Sequence, residues 1–140
     1  MAGFFHTISE DFGKLLLRLS TGSVLLFHGI FKLSHGIEWI KYTLAEHHLP
    51  GFLAYGAYAG EVIAPILLIL GYRTRIAALV IAFDMLLALG LVMRSQILVI
   101  KEMGGGWGVE IEAMLLFASL ALFFTGGGKF SVTKTEKLWD

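Results

Sequence analysis

The sequence contains no cysteine, and this absence excludes several kinds of site. Without thiols the chain can form neither a disulfide nor a thiolate metal centre. It also cannot pass electrons through thiols of its own, which excludes the four-helix membrane thiol oxidoreductases, since they need such cysteines. Any electrons that this protein handles must therefore come from a partner.

Charged residues are also scarce. They make up 16% of the 140 residues, whereas soluble domains carry about a quarter. Hydrophobic residues make up 56%, and the mean hydropathy is +0.76, so much of the surface must face something other than water. The formal net charge is zero, and nothing indicates a nucleic-acid partner.

Four apolar runs divide the chain, over residues 12–33, 52–70, 76–93 and 109–124. A helix needs about 20 mostly apolar residues to cross the bilayer core. The sequence shows no alternation typical of strands and no soluble domain. It therefore predicts an all-α fold, an integral membrane four-helix bundle formed by residues 1–140 as a single domain.

Basic residues are distributed unevenly around these runs. Four crossings place both termini and the 71–75 loop on one face, which carries more bases than the other face. Because cytoplasmic loops are enriched in Lys and Arg, this bias predicts a multi-pass membrane protein with both termini in the cytoplasm. The bases on the predicted cytoplasmic face are Lys14, Arg18, Arg73, Arg75, Lys129, Lys134 and Lys137.

Ionisable residues within the apolar runs are the candidate functional residues. His28 and Lys32 lie near each other on the first helix, because residues i and i+4 are surface neighbours. Such residues are costly inside a membrane and usually turn toward partners on other helices. Depths counted at 1.5 Å per residue predict a polar cluster in the outer half of the membrane, which would contain His28, Lys32, Glu61, Glu110 and Asp84.

This cluster has two interpretations. It is either a salt-bridge network that fixes the helix register or a polar pocket for protons or a small head group, such as a quinone carbonyl. In the pocket, His28 would be the quinone ligand or proton donor, Glu61 the proton acceptor, and Lys32 the charge that keeps Glu61 ionised. Further candidate contacts of the cofactor are Asp84, Glu110 and Arg18.

Metal and haem are less well supported. His28, Glu61 and Glu110 could supply metal ligands, but no Glu-x-x-His motif accompanies them. A bis-histidine haem would need two deep histidines, and only His28 is deep in the sequence pattern. We therefore expect neither metal nor haem. Arg18 stands alone in the inner half, and its simplest role is a structural one or a contact with lipid phosphates.

The order and spacing of these residues resemble the DoxX family of small membrane proteins. The matching residues are Arg18, His28-Gly29-x-x-Lys32, Glu61 and Gly71-x-Arg73-x-Arg75, followed by Ala77-Ala78. The segment Gly126-Gly127-Gly128-Lys129-Phe130-Ser131 is similar to the family's Gly-Pro-Gly-Arg-Tyr-Ser ending. It departs from that ending where Gly127 replaces proline and Lys129-Phe130 replaces Arg-Tyr.

The resemblance extends over about residues 14 to 131 and implies a four-helix membrane fold. It also implies a role as a membrane subunit of an oxidoreductase system, because the founding members are similar to the quinone-reducing subunit of a thiosulfate:quinone oxidoreductase. Our first hypothesis is thus a quinone-binding redox subunit in the bacterial inner membrane, which receives electrons from a partner redox protein. The alternatives are a non-catalytic anchoring or assembly subunit and a small transporter. The sequence leaves homo-oligomerisation open and predicts contact with membrane lipids.

Overall fold

The computed structural model describes residues 2–133, with side chains from residue 8 onward. Apart from one β-bridge between Ile100 and Trp107, its regular structure is helical, as predicted. The helices are α1 (Ala2–His35), α2 (Glu38–Glu46), α3 (Gly51–Leu70), α4 (Thr74–Val92) and α5 (Glu110–Thr125), with a short 3₁₀ turn at Arg94–Gln96.

The four longer helices pack around one core. Along this ring, α1 contacts α3, α3 contacts α4, α4 contacts α5, and α5 contacts α1. The core consists mainly of Leu and Ala side chains, and it includes Leu25, Leu68, Ala78, Ile81 and Leu122. Small residues on α4 allow the helix backbones to approach closely, as is common between membrane helices.

Three helices are long and apolar enough to cross a membrane by length and composition: Ile8–His35 within α1, then α3 and α4. α5 has 16 residues, about 24 Å at 1.5 Å per residue, which is shorter than the ~30 Å hydrocarbon core. A fourth crossing and the cytoplasmic termini therefore remain predictions. Two bases used for that orientation, Lys134 and Lys137, lie outside the described residues.

The helix α3 changes its winding along its length. It begins as a 3₁₀ helix, has a π-helical segment at Ala59–Ile63 and ends as an α-helix over Ala64–Leu70. Pro65 explains this change, because proline has no N–H to donate to the Glu61 carbonyl four residues earlier and its ring crowds that carbonyl. Since π-helical turns occur frequently at functional sites, the segment around Glu61 is of particular interest.

The bundle has two ends, which we name the Lys32 end and the Arg18 end after two cations of α1. At the Lys32 end, α2 packs over the start of α3, where Leu44 and Ala54 share a small apolar cluster. The α4–α5 connection also lies there and includes backbone hydrogen bonds from Lys101 to Gly106 and from Gly108 to Val99. At the Arg18 end are the 71–73 turn and residues 126–128, which follow α5.

Candidate functional site

An ion pair joins α1 to α3 at the Lys32 end. The Lys32 ammonium donates to the Glu61 carboxylate Oε1, and the two side chains are only 14% and 7% exposed. Glu61 lies in the π-helical segment of α3. The structure therefore brings together the predicted cation and the predicted carboxylate in a largely buried position.

Two glycines allow the helices to approach each other at this pair. A Cβ on Gly29 of α1 would collide with the backbone carbonyl of Glu61, and a Cβ on Gly60 of α3 would collide with the Asp84 side chain. The backbone of α3 is therefore wedged between α1 and α4 at the position of Glu61. This close packing brings the Asp84 carboxyl group beside the ion pair.

Asp84 completes what we call the carboxyl cluster, Lys32, Glu61 and Asp84. Its carboxyl group is near enough to both Glu61 and Lys32 to interact with them electrostatically. Among the described residues, Glu61 Oε2 and Asp84 Oδ2 are buried without a hydrogen-bond partner. Buried polar atoms of this kind are uncommon in native proteins, and a bound partner or a functional role is the usual explanation.

Two aromatic residues contact Lys32, one from α2 and one from α3. The Trp39 ring centroid is 5.6 Å from Lys32 Nζ, a distance compatible with a cation–π contact. The Tyr58 hydroxyl donates a long hydrogen bond of 3.4 Å to the Lys32 carbonyl. The sequence gives no direct indication of this contact between Trp39 and Lys32.

Outside the spans, the pKa of Lys41 on α2 is raised, chiefly because its ammonium donates a hydrogen bond to Glu38. That bond is 2.7 Å long. Lys41 Nζ also lies 5.4 Å from the Tyr55 ring, so this pair holds the surface of α2 against the start of α3. It belongs to the exposed part of the Lys32 end and not to the carboxyl cluster.

His28 lies outside the carboxyl cluster. It is exposed on α1, and within the described part of the chain it makes no hydrogen bond or ion pair. Consecutive helix residues are rotated by about 100°, so His28 and Lys32 are neighbours whose directions differ by about 40°. Lys32 faces α3, whereas His28 points outward beside it.

Glu110 is also separate from the cluster. Its carboxylate pairs with Lys101 at 3.0 Å, and its side chain is 44% exposed. It stands at the first position of α5, where a negative charge interacts favourably with the helix dipole. The predicted five-residue cluster is therefore divided among three places: the carboxyl cluster, His28 on the outer surface of α1, and the Lys101–Glu110 pair.

Arg18 has a different role from the predicted lipid contact. Its residue is only 1% exposed, which fits the structural role that the sequence left open and not the contact with lipid phosphates. Its guanidinium donates to three backbone carbonyls, those of Leu68 at 3.0 Å, Ile69 at 2.9 Å and Gly127 at 2.8 Å. These carbonyls lie at the end of α3 and just beyond α5, so Arg18 satisfies groups that helix ends leave free.

Gly71 is needed for this arrangement. It ends α3 with a φ of 71°, in the left-handed region that glycine adopts readily. A Cβ at this position would also collide with the Arg18 guanidinium. Arg18 and Gly71 of the predicted motif therefore belong to one structural unit at the end of α3. No carboxylate among the described residues is bonded to Arg18.

A further buried acid, Asp11, was not singled out from the sequence. Its Oδ1 accepts a hydrogen bond from the Lys129 backbone N–H at 3.2 Å and lies 3.9 Å from Lys14 Nζ. It thus holds the segment after α5 against α1. The remaining buried atoms without a hydrogen-bond partner in the described chain are also at the Arg18 end: Asp11 Oδ2, Thr74 Oγ1 and Arg75 Nε.

The described residues contain no group of three His, Cys, Asp or Glu side chains arranged to hold a metal ion. At the Lys32 end, Glu61 is paired with Lys32 and Glu110 is paired with Lys101. An ammonium ion in this position competes with a bound cation for the same oxygens. The arrangement is therefore better suited to proton exchange or to hydrogen bonding of a neutral ligand.

Comparison with known proteins confirms the family resemblance. The family model of DoxX matches residues 13–94, which include Arg18, His28, Lys32, Glu61 and Asp84. A relative from Bacillus subtilis (strain 168) is 33% identical over 119 residues, or 84% of this chain and 82% of its own length, and is named "Putative oxidoreductase CatD". No solved structure matches the chain significantly.

Proposed function

Because the chain belongs to the DoxX family of membrane proteins, we propose that it is a membrane subunit of an oxidoreductase system that binds a quinone at the Lys32 end. The name of its Bacillus relative supports the reaction class. The three membrane-length helices support a site reached from the lipid, where quinones dissolve. A location in the bacterial inner membrane is part of this proposal, with both termini in the cytoplasm as the positive-inside bias predicts.

One observation carries the proposal: the carboxyl cluster places the half-buried Lys32 beside two carboxyl groups. One oxygen of each carboxyl group, Glu61 Oε2 and Asp84 Oδ2, is buried without a partner in the described structure. Two carboxyl groups beside one ammonium can hold a proton between them and release it. A quinone, when bound, takes up two electrons and two protons. The cluster would supply proton exchange, and a partner protein would supply the electrons.

The residues at the edge of the cluster fit the polar part of such a ligand. Quinone carbonyls accept hydrogen bonds, and the available donors are the Lys32 ammonium and the His28 ring. His28 is exposed on the same stretch of α1 and has no partner within the described residues. We therefore assign His28 and Lys32 to binding the head group, with Glu61 and Asp84 behind them as proton-exchanging groups.

The direct test is the quinone content of the protein purified gently from a quinone-containing membrane. We expect about one quinone per chain in the wild type and a loss of most of it in His28→Ala and Lys32→Met. Glu110→Gln is the matched control, because it removes a carboxylate from the Lys32 end without touching the cluster. Absence of quinone from the wild type, or equal content in all variants, would overturn the proposal.

A second candidate is an anchoring or assembly subunit, and the buried Lys32–Glu61 pair also favours it. A buried ion pair can specify helix register without taking part in a reaction. On this account, a stable partner protein would co-purify with the chain and quinone would not. Mass spectrometry of the same preparation distinguishes the two candidates, because it identifies proteins while the extract is assayed for quinone.

A further inference from the structure

A groove of about 380 Å³ runs between α1 and α5. Its walls include Leu17, Thr21 and Val24 of α1 together with Ile111, Met114 and Ala118 of α5. This volume lies within the ~300–1,000 Å³ range of small-molecule sites. The α1 wall belongs to the membrane-length segment Ile8–His35, so the groove opens toward lipid and its occupant must be apolar.

His28 lies on the extension of this groove along α1. It follows Val24 by four residues, so its side chain projects from the same face one turn closer to the Lys32 end. It is exposed, and it has no hydrogen-bond partner within the described residues. An ionisable side chain in a membrane-length segment is costly without a polar partner and indicates a functional site.

The groove and His28 together have the shape of a site for an amphiphile, with an apolar trough that ends at a hydrogen-bonding group. His28 stands about 10 Å along the helix from the end of α1 at His35. A phospholipid would have to draw its charged head group that far below the interface, at high cost. A neutral head group that only accepts hydrogen bonds avoids this cost.

We infer that the α1–α5 groove binds the isoprenoid tail of a quinone, with the quinone head at His28. This inference rests on the proposed function and adds the tail site and the direction of entry to it. The tail would lie along Val24, Thr21 and Leu17, and it would extend toward the Arg18 end. Binding would then depend on tail length, and not only on the head group.

The test uses two serines of α1 that are both exposed. Ser20 lines the groove, whereas Ser23 lines a shallow hollow on another side of α1. Ser20→Phe would fill the groove, and Ser23→Phe adds the same ring elsewhere as the matched control. Both variants and the wild type are titrated in nanodiscs with a methyl-substituted benzoquinone and with the same ring that carries a decyl chain.

We expect the wild type and Ser23→Phe to bind the decyl quinone at least tenfold more tightly than the tail-less ring. In Ser20→Phe this ratio should fall close to one, while binding of the tail-less ring stays unchanged. Affinities are expressed per quinone dissolved in the bilayer, so that the stronger partition of the decyl quinone does not contribute to the ratio. Ala118→Leu, from the opposite wall, should lower the ratio as well and covers the case in which Ser20→Phe fails to fold.

The outcomes separate this inference from the proposed function. If both quinones bind and Ser20→Phe and Ala118→Leu keep the wild-type ratio, the groove is not the tail site, although the proposed function stands. If neither quinone binds the wild type, the proposed function itself fails. If Ser20→Phe changes the oligomeric mass measured by light scattering and leaves the ratio unchanged, a second copy of the chain occupies the groove and the inference is overturned.

Discussion

Arg18, which is buried, and Lys32, which is half-buried, are two cations on one helix whose surroundings differ in kind. They stand about 21 Å apart along α1, and both face α3. Arg18 donates only to backbone carbonyls, which cannot take up or release a proton near neutral pH. Lys32 donates to a carboxylate and has a second carboxyl group beside it.

This difference indicates a division of labour along the bundle. Carbonyls at helix ends need donors in any membrane protein, because lipid supplies none, and Arg18 meets that need at two helix ends at once. The carboxyl cluster does not supply donors to helix-end carbonyls. Its own carboxylates need hydrogen-bond partners instead. The proposed function gives these charged groups a use at the Lys32 end, which is proton exchange.

The largest effect should come from Arg18→Met. The substitution leaves the carbonyls of Leu68, Ile69 and Gly127 without their donor, and each hydrogen bond to a charged group contributes roughly 1.5–3 kcal/mol. We expect the free energy of unfolding to fall by roughly 5–9 kcal/mol, enough to prevent accumulation of folded protein. Arg94→Met, at an exposed arginine, is the control. If Arg18→Met kept the wild-type thermal midpoint, the structural role assigned to Arg18 would be wrong.

A smaller loss is expected for Lys32→Met, because it leaves Glu61 buried without its partner. Breaking a buried ion pair from one side typically costs about 3–5 kcal/mol, whereas replacing both partners costs much less. The double variant Lys32→Met/Glu61→Leu should therefore recover most of the stability but bind no quinone. Thermal unfolding in a mild detergent gives the double-mutant cycle. If the double variant is less stable than both single variants, the pair acts mainly as a structural element.

The close approach of α3 and α4 predicts an intermediate effect for Gly60→Ala. The added methyl group would collide with Asp84, and overpacking of this kind costs about 1–3 kcal/mol. Gly56→Ala in the same helix meets no atom within 4 Å and should be neutral or stabilising by about 0.5–1 kcal/mol. Equal thermal midpoints for the two variants would mean that the helices are farther apart than described.

The smallest effect concerns the exposed Glu38–Lys41 pair of α2. The pKa of Lys41 is raised above its ordinary 10.5, first by its hydrogen bond to Glu38. The favourable contribution of this pair is therefore present at neutral pH and is lost as the pH rises through the folded-state pKa. In Glu38→Gln, a titration followed by NMR of the Lys41 side chain should show a lower pKa. An unchanged value would assign the shift to another group.

Much of the fold follows from the sequence. The apolar runs predicted helices close to those observed, because runs of this length and composition have few other stable forms in lipid. The pairing of Lys32 with Glu61 also followed, since each is a costly charge in need of the other. Gly29, close to Lys32 in an apolar run, is consistent with the close approach of α3 at that position.

Other features depend on tertiary structure that helix spacing does not determine. The i, i+4 spacing places His28 beside Lys32, but not on the side that faces α3. Glu110 was placed in the cluster by depth alone, and its pairing with Lys101 depends on the path of the α4–α5 connection. The π-helical segment could have been anticipated from Pro65, four residues after Glu61, because of its missing N–H.

The most direct test of the division between the two ends compares Asp84→Asn with Arg18→Lys. Thermal midpoint and quinone-linked proton uptake per folded molecule are measured for both variants and the wild type. We predict that Asp84→Asn keeps the wild-type midpoint and loses proton uptake, whereas Arg18→Lys lowers the midpoint and keeps uptake in the molecules that fold. Unfolding of Asp84→Asn, or a stable Arg18→Lys without proton uptake, would contradict the account.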